Sequence, residues 1–236
     1  MTYDSRTADP SIDSPETVQS GLAAPIARWT AGKNRFDTPI PGLSLHRWET
    51  PTEPTSYMLA PSICLIGQGR KRLFLGEDTY VYDANHYLVT SVDLPVVTQI
   101  IEATPAQPYL GLTMELDLRL IAQLMMDNDL PSTNPPDRLG IAVSAVDKSL
   151  VDAFQRLLDL LEHPADLPAL APLIQQEIFY RLLTGEQGPR LRQIASIGHH
   201  GYQISRAISW LKANYNQAIK VEELAGKAGL SVSAFH

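Results

Sequence analysis

Between Pro39 and Leu116 the sequence is divided into short β-rich runs, and this pattern limits the fold more than any other feature. The runs are bounded by Pro, Gly, Asn and Asp, and they cover residues 43–48, 62–68, 71–75, 79–83, 86–91, 96–103 and 109–116. Gly76-Glu77-Asp78 and Ala84-Asn85 occupy positions where hairpin turns belong. Because no helical segments lie between the runs, the pattern argues against a parallel α/β sheet. It predicts an antiparallel sandwich or small barrel over about residues 39–116.

Helical patterns flank this region on both sides. Residues 16–31 predict a helix that is broken or kinked near Pro25. After Asp117 the apolar residues follow a helical spacing, and a Pro-rich loop comes next at 131–137. The residues at that spacing are Leu118, Ile121, Ala122 and Met125. Ser144 with Asp147 resembles a capping box for a further helix, whereas Asp166 and Gly185 are placed to begin and end the last one.

The last two predicted helices form an αα-hairpin with broad apolar stripes. Two interpretations remain open: both stripes cover the barrel, or part of them forms the seam of a homodimer. The dimerisation candidates are Leu150, Phe154, Leu157 and Leu161. In the dimer interpretation, Leu157→Asp combined with Leu161→Asp yields a soluble monomer.

Composition describes an ordinary globular protein of 236 residues, long enough for one large domain or one domain and a part. No apolar run approaches the roughly 18–20 residues of a membrane span, and the acidic, Ser/Pro-rich N-terminus is no secretory signal. Residues 1–15 are expected to be a disordered tail. The chain has one cysteine and no N-x-S/T glycosylation acceptor, which together favour the cytoplasm.

The charge is unevenly distributed along the chain. Residues 189–236 carry six basic and two acidic residues, a net charge of +4. Residues 1–188 carry 13 basic and 24 acidic residues, a net charge of -11. A cationic C-terminal segment on an acidic body indicates two roles, one of them toward a polyanion, although an uneven surface without a role remains the alternative.

The segment KVEELAGKAGLSVSAFH, residues 220–236, has the residue types of a helix-turn-helix. A small residue, Ala225, lets two helices cross closely, and Gly229 suits the left-handed turn between them. Ser231 is then the N-cap of the second helix. A plain αα-hairpin is the alternative. The candidate DNA contacts are Ser231, Ser233 and His236.

These residues carry a family resemblance. The run ISRAISWLKANYNQAIKVEELAGKAGLSVSAFH closely resembles the start of the AraC/XylS-type DNA-binding domain. The segments PSICLIGQGRKRLFLGEDTYVYDANHYLVTSVDLPV, PYLGLTMELD and PLIQQEIFYRLLTGEQGPRLRQIA are similar to the N-terminal domain of one AraC subfamily. The resemblance spans about residues 36–236. It implies an α+β protein: a cupin-like antiparallel barrel that senses a small molecule, a helical dimerisation hairpin, and a domain with two helix-turn-helix units.

The expected organisation follows from this resemblance. Residues 16–188 form the effector-sensing and dimerisation domain, with helices at about 117–188, and residues 189–236 form a partial DNA-binding domain. The first helix-turn-helix, at about 221–236, is incomplete because the sequence stops at His236. The fragment is therefore expected to bind promoter DNA weakly or not at all, with non-specific dissociation constants of about 10⁻⁴ to 10⁻⁶ M as the tightest binding expected.

Metal and catalytic patterns are weak. His46 and His86 stand alone among the strands without a His-x-His pair, so no metal and no cofactor are expected. Gly67-Gln68-Gly69-Arg70-Lys71 lacks the Gly-Lys-Ser/Thr of a phosphate loop, and a bend between strands explains it better. No G-x-S-x-G elbow occurs, and Cys64 lies in an apolar strand where a thiol is usually inert. The chain is therefore not expected to be an enzyme.

The effector pocket is predicted from strand alternation. The candidates are Cys64, Ile66, Tyr82, His86, Leu88, Val97 and Met114. The alternative is that these side chains simply fill the barrel. The sequence thus favours a ligand-responsive regulator that binds promoter DNA as a homodimer without a membrane segment. A cupin-type enzyme or binding protein with a helical appendage, and a purely structural dimerisation module, are the competing functions.

Overall fold

A computed structural model describes residues 21–90, 92–131, 140–193 and 195. In these ranges the strands are β1 (Arg35–Asp37), β2 (Leu43–Trp48), β3 (Thr55–Leu59), β4 (Ser62–Gln68), β5 (Arg70–Leu75), β6 (Asp78–Asp83), β7 (His86–Thr90), β8 (Leu94–Glu102), β9 (Tyr109–Glu115) and β10 (Ile141–Ala145). The helices are α1 (Ala23–Trp29), α2 (Leu118–Asp127), α3 (Lys148–Asp159), with a 3-10 turn at Leu160–Glu162, and α4 (Leu167–Thr184).

The strands form two antiparallel sheets that face each other. The six-stranded sheet has the order β1-β2-β9-β4-β7-β10, and the four-stranded sheet has the order β3-β8-β5-β6. Apolar side chains from both sheets meet in one buried cluster, which we call the barrel interior. It comprises Leu59, Cys64, Ile66, Leu73, Tyr82, Leu88, Val96, Ile100, Ala103, Tyr109 and Ile141. The protein is therefore α+β, with an antiparallel barrel-like core.

The chain passes between the two sheets at short corners rich in small residues. Gly69 connects β4 to β5 with a φ of +86, and the β4–β9 register shifts between Ile66 and Gln68. The predicted bend at Gly67–Lys71 is confirmed. Gly76-Glu77 closes the β5–β6 hairpin as predicted, since Leu75 pairs with Asp78. Ala84-Asn85 closes no hairpin, because β6 pairs with β5 whereas β7 pairs with β4 and β10.

A second core lies between the six-stranded sheet and the helices. β4 alternates Ile63 and Leu65 toward this core with Cys64 and Ile66 toward the barrel interior. The strand is buried on both faces, which explains its continuous apolar run. On the helical side, Leu150, Phe154, Leu157 and Leu161 are all buried in the same core. These four side chains are buried in the helical-side core of their own chain, so the structure corrects their assignment to a dimer seam.

The helix boundaries follow local hydrogen bonds. The Asp117 carboxylate accepts from the N–H groups of Arg119 and Leu120 at 3.0 and 3.2 Å, and caps α2. Asp147 alone caps α3, by accepting from Leu150 N–H at 2.8 Å. Ser144 belongs to β10 instead of a capping box. Asp166 precedes α4 without a side-chain cap bond, and Gly185 ends that helix as predicted.

Three strands were not predicted. β1 has three residues, β3 is mostly exposed, and β10 returns to the sheet after α2 to pair with β7. The barrel therefore extends beyond the predicted bounds of 39–116. Pro25 does not break a helix, because it occupies the first turn of α1, where its missing N–H would have no intrahelical acceptor.

The predicted tail at residues 1–15, the helix-turn-helix at 221–236 and the candidate DNA contacts Ser231, Ser233 and His236 lie outside the described residues. In the part of the chain that is described, no helix combines the length and the apolar character needed to cross a membrane.

Candidate functional site

A cluster of polar side chains lies around Lys71, at the edge of the barrel interior. Lys71 is directly opposite Tyr82 on β6 and Ile100 on β8, so the three side chains share the inward face of the four-stranded sheet. The Lys71 Nζ donates a hydrogen bond to Tyr57 Oη at 3.3 Å, and it lies 5.9 Å from the centroid of that ring. The ammonium thus reaches across β8 from β5 to Tyr57 on the edge strand β3, a side chain that is 40% exposed.

The opposite wall of the interior supplies a thiol, a hydroxyl and a third phenol. Cys64 Sγ lies 3.6 Å from Thr113 Oγ1 on the neighbouring strand, and the thiol shares a hydrogen bond with the Tyr82 phenol. Tyr109 lies over Gly111 on its own strand. A Cβ at Gly111 would come within 2.6 Å of Tyr109 Oη, so only glycine leaves room for this ring.

The phenols of Tyr82 and Tyr109 remain protonated at neutral pH. Burial raises the pKa of Tyr82 well above its ordinary value, with further increases from Cys64 and Tyr109. Burial also raises the pKa of Tyr109, to about 12, although the neighbouring Lys71 cation works against it. Both O–H groups are therefore hydrogen-bond donors inside an apolar wall.

Lys71 keeps its positive charge. Burial by itself lowers the pKa of the ammonium, but Tyr109, Tyr57 and Cys64 outweigh this effect and hold the pKa above its ordinary value. Among the described residues, no carboxylate oxygen forms an ion pair with Lys71 Nζ. The interior therefore contains a cation without an acidic counter-charge from that part of the chain.

His46 extends the polar cluster as a neutral ring. Burial, followed by the charges of Lys71 and Arg35, lowers its pKa to about 4. Its Nε2 lies 3.2 Å from Ser44 Oγ, and its ring stacks on Trp48 with the centroids 5.9 Å apart. Trp48 in turn meets Tyr109 edge to face at 6.2 Å. A continuous row of aromatic rings thus borders the cation.

The predicted pocket residues separate into two groups. Cys64, Ile66, Tyr82 and Leu88 all lie in the barrel interior. Met114 belongs to the core on the helical side of the sheet, which corrects its predicted face.

Two other candidates lie away from the polar cluster. Val97 alternates with the buried Val96 and Thr98 and is only partly buried itself, so it faces away from the interior. His86 is half-exposed at the β6–β7 corner, with its Nδ1 2.8 Å from Asp83 Oδ1. Neither side chain belongs to the proposed site.

Sequence reasoning missed Lys71, Tyr57, Tyr109 and His46 as members of one site. The alternation of Lys71 with Leu73 and Leu75 in RKRLFL was the available signal for the lysine. Tyr57 lies on a strand that was not predicted. Within the described ranges, no three His, Cys, Asp or Glu residues are grouped as a metal site requires. The arrangement offers donors and one cation within apolar walls, which suits non-covalent binding of a small molecule.

Comparisons with known proteins place these observations in a family. Several solved structures resemble the chain, all at low identity. A point variant of ToxT from Vibrio cholerae strain SCE256, in its apo form, is 11% identical, with a TM-score of 0.37 and coverage of 84% of this chain and 93% of that chain. Unsaturated fatty acid bound wild-type ToxT from the same strain is 13% identical, with a TM-score of 0.34 and coverage of 82% and 88%. The AraC-like transcriptional activator CuxR is 14% identical, with a TM-score of 0.34 and coverage of 83% and 69%.

No curated protein sequence matches the chain. The family described as AraC-type transcriptional regulator N-terminus matches residues 39–190, from the start of the barrel to the segment that follows α4. This match covers more than half of the sequence, and the chain therefore belongs to the AraC-type transcriptional regulators.

Proposed function

We propose that this protein is a ligand-responsive transcription regulator of the cytoplasm, in which the barrel interior binds a small-molecule effector and the C-terminal segment binds promoter DNA. The observation that carries the proposal is a polar cluster in which Tyr82 and Tyr109 lie inside the apolar barrel, whereas Lys71 and the 40% exposed Tyr57 lie at its edge. Donors that converge inside an apolar enclosure are the usual composition of a small-molecule site. The barrel binds its ligand without transforming it.

Thermal unfolding in the presence of small molecules tests effector binding. The panel contains sugars, amines, amides and carboxylates, each over a range of concentrations. A molecule that binds only the folded chain raises the melting temperature as its concentration rises. We expect at least one class to do so, and to lose its effect in Tyr109→Phe combined with Tyr82→Phe. If every class leaves the melting temperature unchanged, the barrel has no effector role.

The effector signal passes from the barrel to the C-terminal segment through β10. Ile141 is part of the barrel interior and Val143 packs against it, so this strand borders the proposed ligand. The segment after α4 is hydrogen-bonded to the same strand, because Gln187 Nε2 donates to Ser144 Oγ at 2.5 Å. A shift of β10 on effector binding therefore moves the segment that leads toward residues 196–236.

DNA binding is assigned to the cationic segment 189–236, with Ser231, Ser233 and His236 as base-contact candidates. Fluorescence anisotropy with labelled promoter DNA, repeated from about 50 to 200 mM salt, measures the contribution of phosphate contacts. Replacing Lys220 and Lys227 by Ala should reduce the slope of log K against log salt by about 1 for each lysine that contacts phosphate. The exposed Lys148→Ala, on α3, is the matched control. An unchanged slope in the double variant would place the DNA contacts elsewhere.

We further propose a homodimer, with the outward face of α4 as its interface. Leu170, Leu173 and Tyr180 are 43%, 61% and 41% exposed on this helix. Their spacing places them along one side, and a two-fold axis pairs such a stripe with its own copy. Glu177 lies on the same side of the helix, where its carboxylate is neutralised by ion pairs to Arg156 at 2.6 Å and to Arg181 at 2.7 Å.

Light scattering tests this interface. Leu170→Lys with Leu173→Lys should produce a folded monomer, because both side chains are exposed within the single chain. Arg119→Lys, an exposed change on α2, serves as the control. A double variant that remains dimeric would show that α4 is not the interface.

A further inference from the structure

We infer that the effector carries a carboxylate that pairs with Lys71, attached to an apolar body that lies against Ile66, Ile100 and the Trp48–Tyr109 pair. This inference rests on the proposed effector role of the barrel and specifies the chemical class of the ligand. Its basis is the juxtaposition of one ammonium, two buried phenols and a neutral imidazole beside apolar walls, with the partly exposed phenol of Tyr57 at the edge.

The charge balance of the interior favours an anion. A cation removed from water is costly unless an opposite charge compensates it. Arg70 on the same strand meets Asp83 at 3.6 Å and Glu102 at 3.7 Å. Lys71, one residue further along, has a phenol as its hydrogen-bond partner and forms no ion pair with a described carboxylate. The two adjacent cations therefore differ: Arg70 is paired on the outer surface, whereas the inward Lys71 needs a counter-ion.

Hydrogen-bond geometry supports a carboxylate at this position. An ammonium has three N–H donors, and Lys71 directs one to Tyr57 Oη at 3.3 Å. Because Tyr57 accepts this bond, its own O–H is available to donate to the same ligand. Tyr109 is close enough to Lys71 for each group to perturb the pKa of the other. A carboxylate, whose two oxygens accept about four hydrogen bonds, matches this set of donors.

The surroundings of Lys71 define the rest of the ligand. Ile100 lies directly opposite Lys71, and Ile66 lies opposite Gly111 on the facing sheet. His46 is uncharged at neutral pH, since its pKa is about 4, and so adds no second cation. One positive charge among aliphatic and aromatic side chains fits a monocarboxylate with an apolar body better than a polyanion or a sugar.

The test compares isosteric acids and amides on the whole chain. Sodium benzoate and sodium octanoate are titrated by calorimetry against benzamide and octanamide, with benzylamine as the cationic counterpart. Loss of a charge-assisted hydrogen bond is expected to weaken binding about ten- to hundredfold, so each acid should bind more tightly than its amide by this factor. Lys71→Met should abolish the difference between acid and amide, whereas Lys71→Arg should retain most of it. The exposed Lys148→Met should behave like the wild type.

The outcomes separate this inference from the proposed function. If the amides or benzylamine bind as tightly as the acids, the barrel binds effectors but Lys71 does not select an anion. If acids are preferred and Lys71→Met keeps the preference, another group supplies the charge, and the assignment to Lys71 is overturned. If no member of the wider panel binds, the effector role itself fails. Should Lys71→Met not fold, Tyr57→Phe, which removes one hydroxyl, is expected to reduce acid affinity several-fold and leave amide affinity nearly unchanged.

Discussion

The Arg190 Nη1 donates a hydrogen bond to the backbone carbonyl oxygen of Ile141 at 2.6 Å. Arg190 lies just beyond α4 and is 8% exposed, whereas Ile141 begins β10 and belongs to the barrel interior. One side chain therefore joins the segment leading to the C-terminus to a strand that borders the proposed ligand. Burial lowers the pKa of the guanidinium, which still remains charged at physiological pH.

Arg190→Met tests the strength of this connection. The substitution leaves the Ile141 carbonyl without its donor, so the free energy of unfolding should fall by about 1–3 kcal/mol. Urea unfolding followed by circular dichroism measures the change. Arg119→Met, at an exposed position, should shift the stability by less than about 0.5 kcal/mol. Equal stability of Arg190→Met and the wild type would mean that the contact contributes nothing.

From the lowered pKa of His46 we expect the folded chain to lose stability in mild acid. Its pKa is about 4 in the folded chain and about 6.5 when unfolded, so below pH 6.5 only the unfolded state takes up the proton. Stability should therefore fall as the pH decreases from about 6.5 to 4, by about 3 kcal/mol in total. His46→Gln should remove this dependence, as urea titrations at several pH values would show. A variant that retains the full slope would assign it to other groups.

The pKa of Asp147 is also lowered in the folded chain, but hydrogen bonds rather than burial lower it, and its effect on stability comes at lower pH. Burial raises the pKa of its carboxyl, but hydrogen bonds from Ser149 and Leu150 outweigh this effect and lower it overall. A depressed folded pKa gives stability that is present above about pH 4 and is lost as the pH falls through the folded value. Asp147→Asn keeps a capping acceptor but does not titrate, so the acid loss below about pH 4 should shrink with little change at pH 7. An unaltered acid transition would contradict this role.

Gly69 and Gly76 form a matched pair for testing the barrel corner. Both have positive φ, at +86 and +59. A Cβ at Gly69 would lie 2.5 Å from the Glu102 carbonyl oxygen, whereas nothing lies within 4 Å of a Cβ at Gly76. Gly76→Ala should therefore cost only the left-handed conformation, about 1–2 kcal/mol, and Gly69→Ala distinctly more. Thermal melts measure the stability of both variants. If Gly69→Ala lowers the melting temperature no more than Gly76→Ala does, the backbone around Gly69 can shift to accommodate the Cβ.

Substitutions at Leu157 and Leu161 test whether these residues belong to the core or to a dimer interface. Both are buried beneath the helices, and unpaired carboxylates there would cost several kcal/mol each, a large part of the roughly 5–15 kcal/mol that holds a domain together. Leu157→Asp with Leu161→Asp should therefore unfold the chain, as judged by circular dichroism. The exposed pair Leu170→Lys and Leu173→Lys should leave the chain folded, with its melting temperature lowered only by the loss of the dimer. A folded Leu157/Leu161 variant would restore these residues to the interface.

The sequence by itself determined the elements whose signals are local. Alternation and turn residues predicted β2 and the strands from β4 to β9, and helical spacing predicted α2, α3 and α4, because side-chain period follows directly from backbone geometry. The run around Gly69 indicated a bend, since glycine favours positive φ. The residues between 36 and 236 also carried the family resemblance.

Only the tertiary structure decided which faces meet. β10 joins the sheet by pairing with β7, about 55 residues earlier in the chain, and no local period encodes that partner. Met114 and Lys71 both occupy regular strands, but a shift of one residue inverts the face, so their positions depended on the actual register. An apolar stripe on α3 suits a sheet and a partner subunit equally well. In the structure the stripe is buried in the core that the helices share with the six-stranded sheet of the same chain. Burial there gives Leu157 its hydrophobic stabilisation without the entropic cost of association.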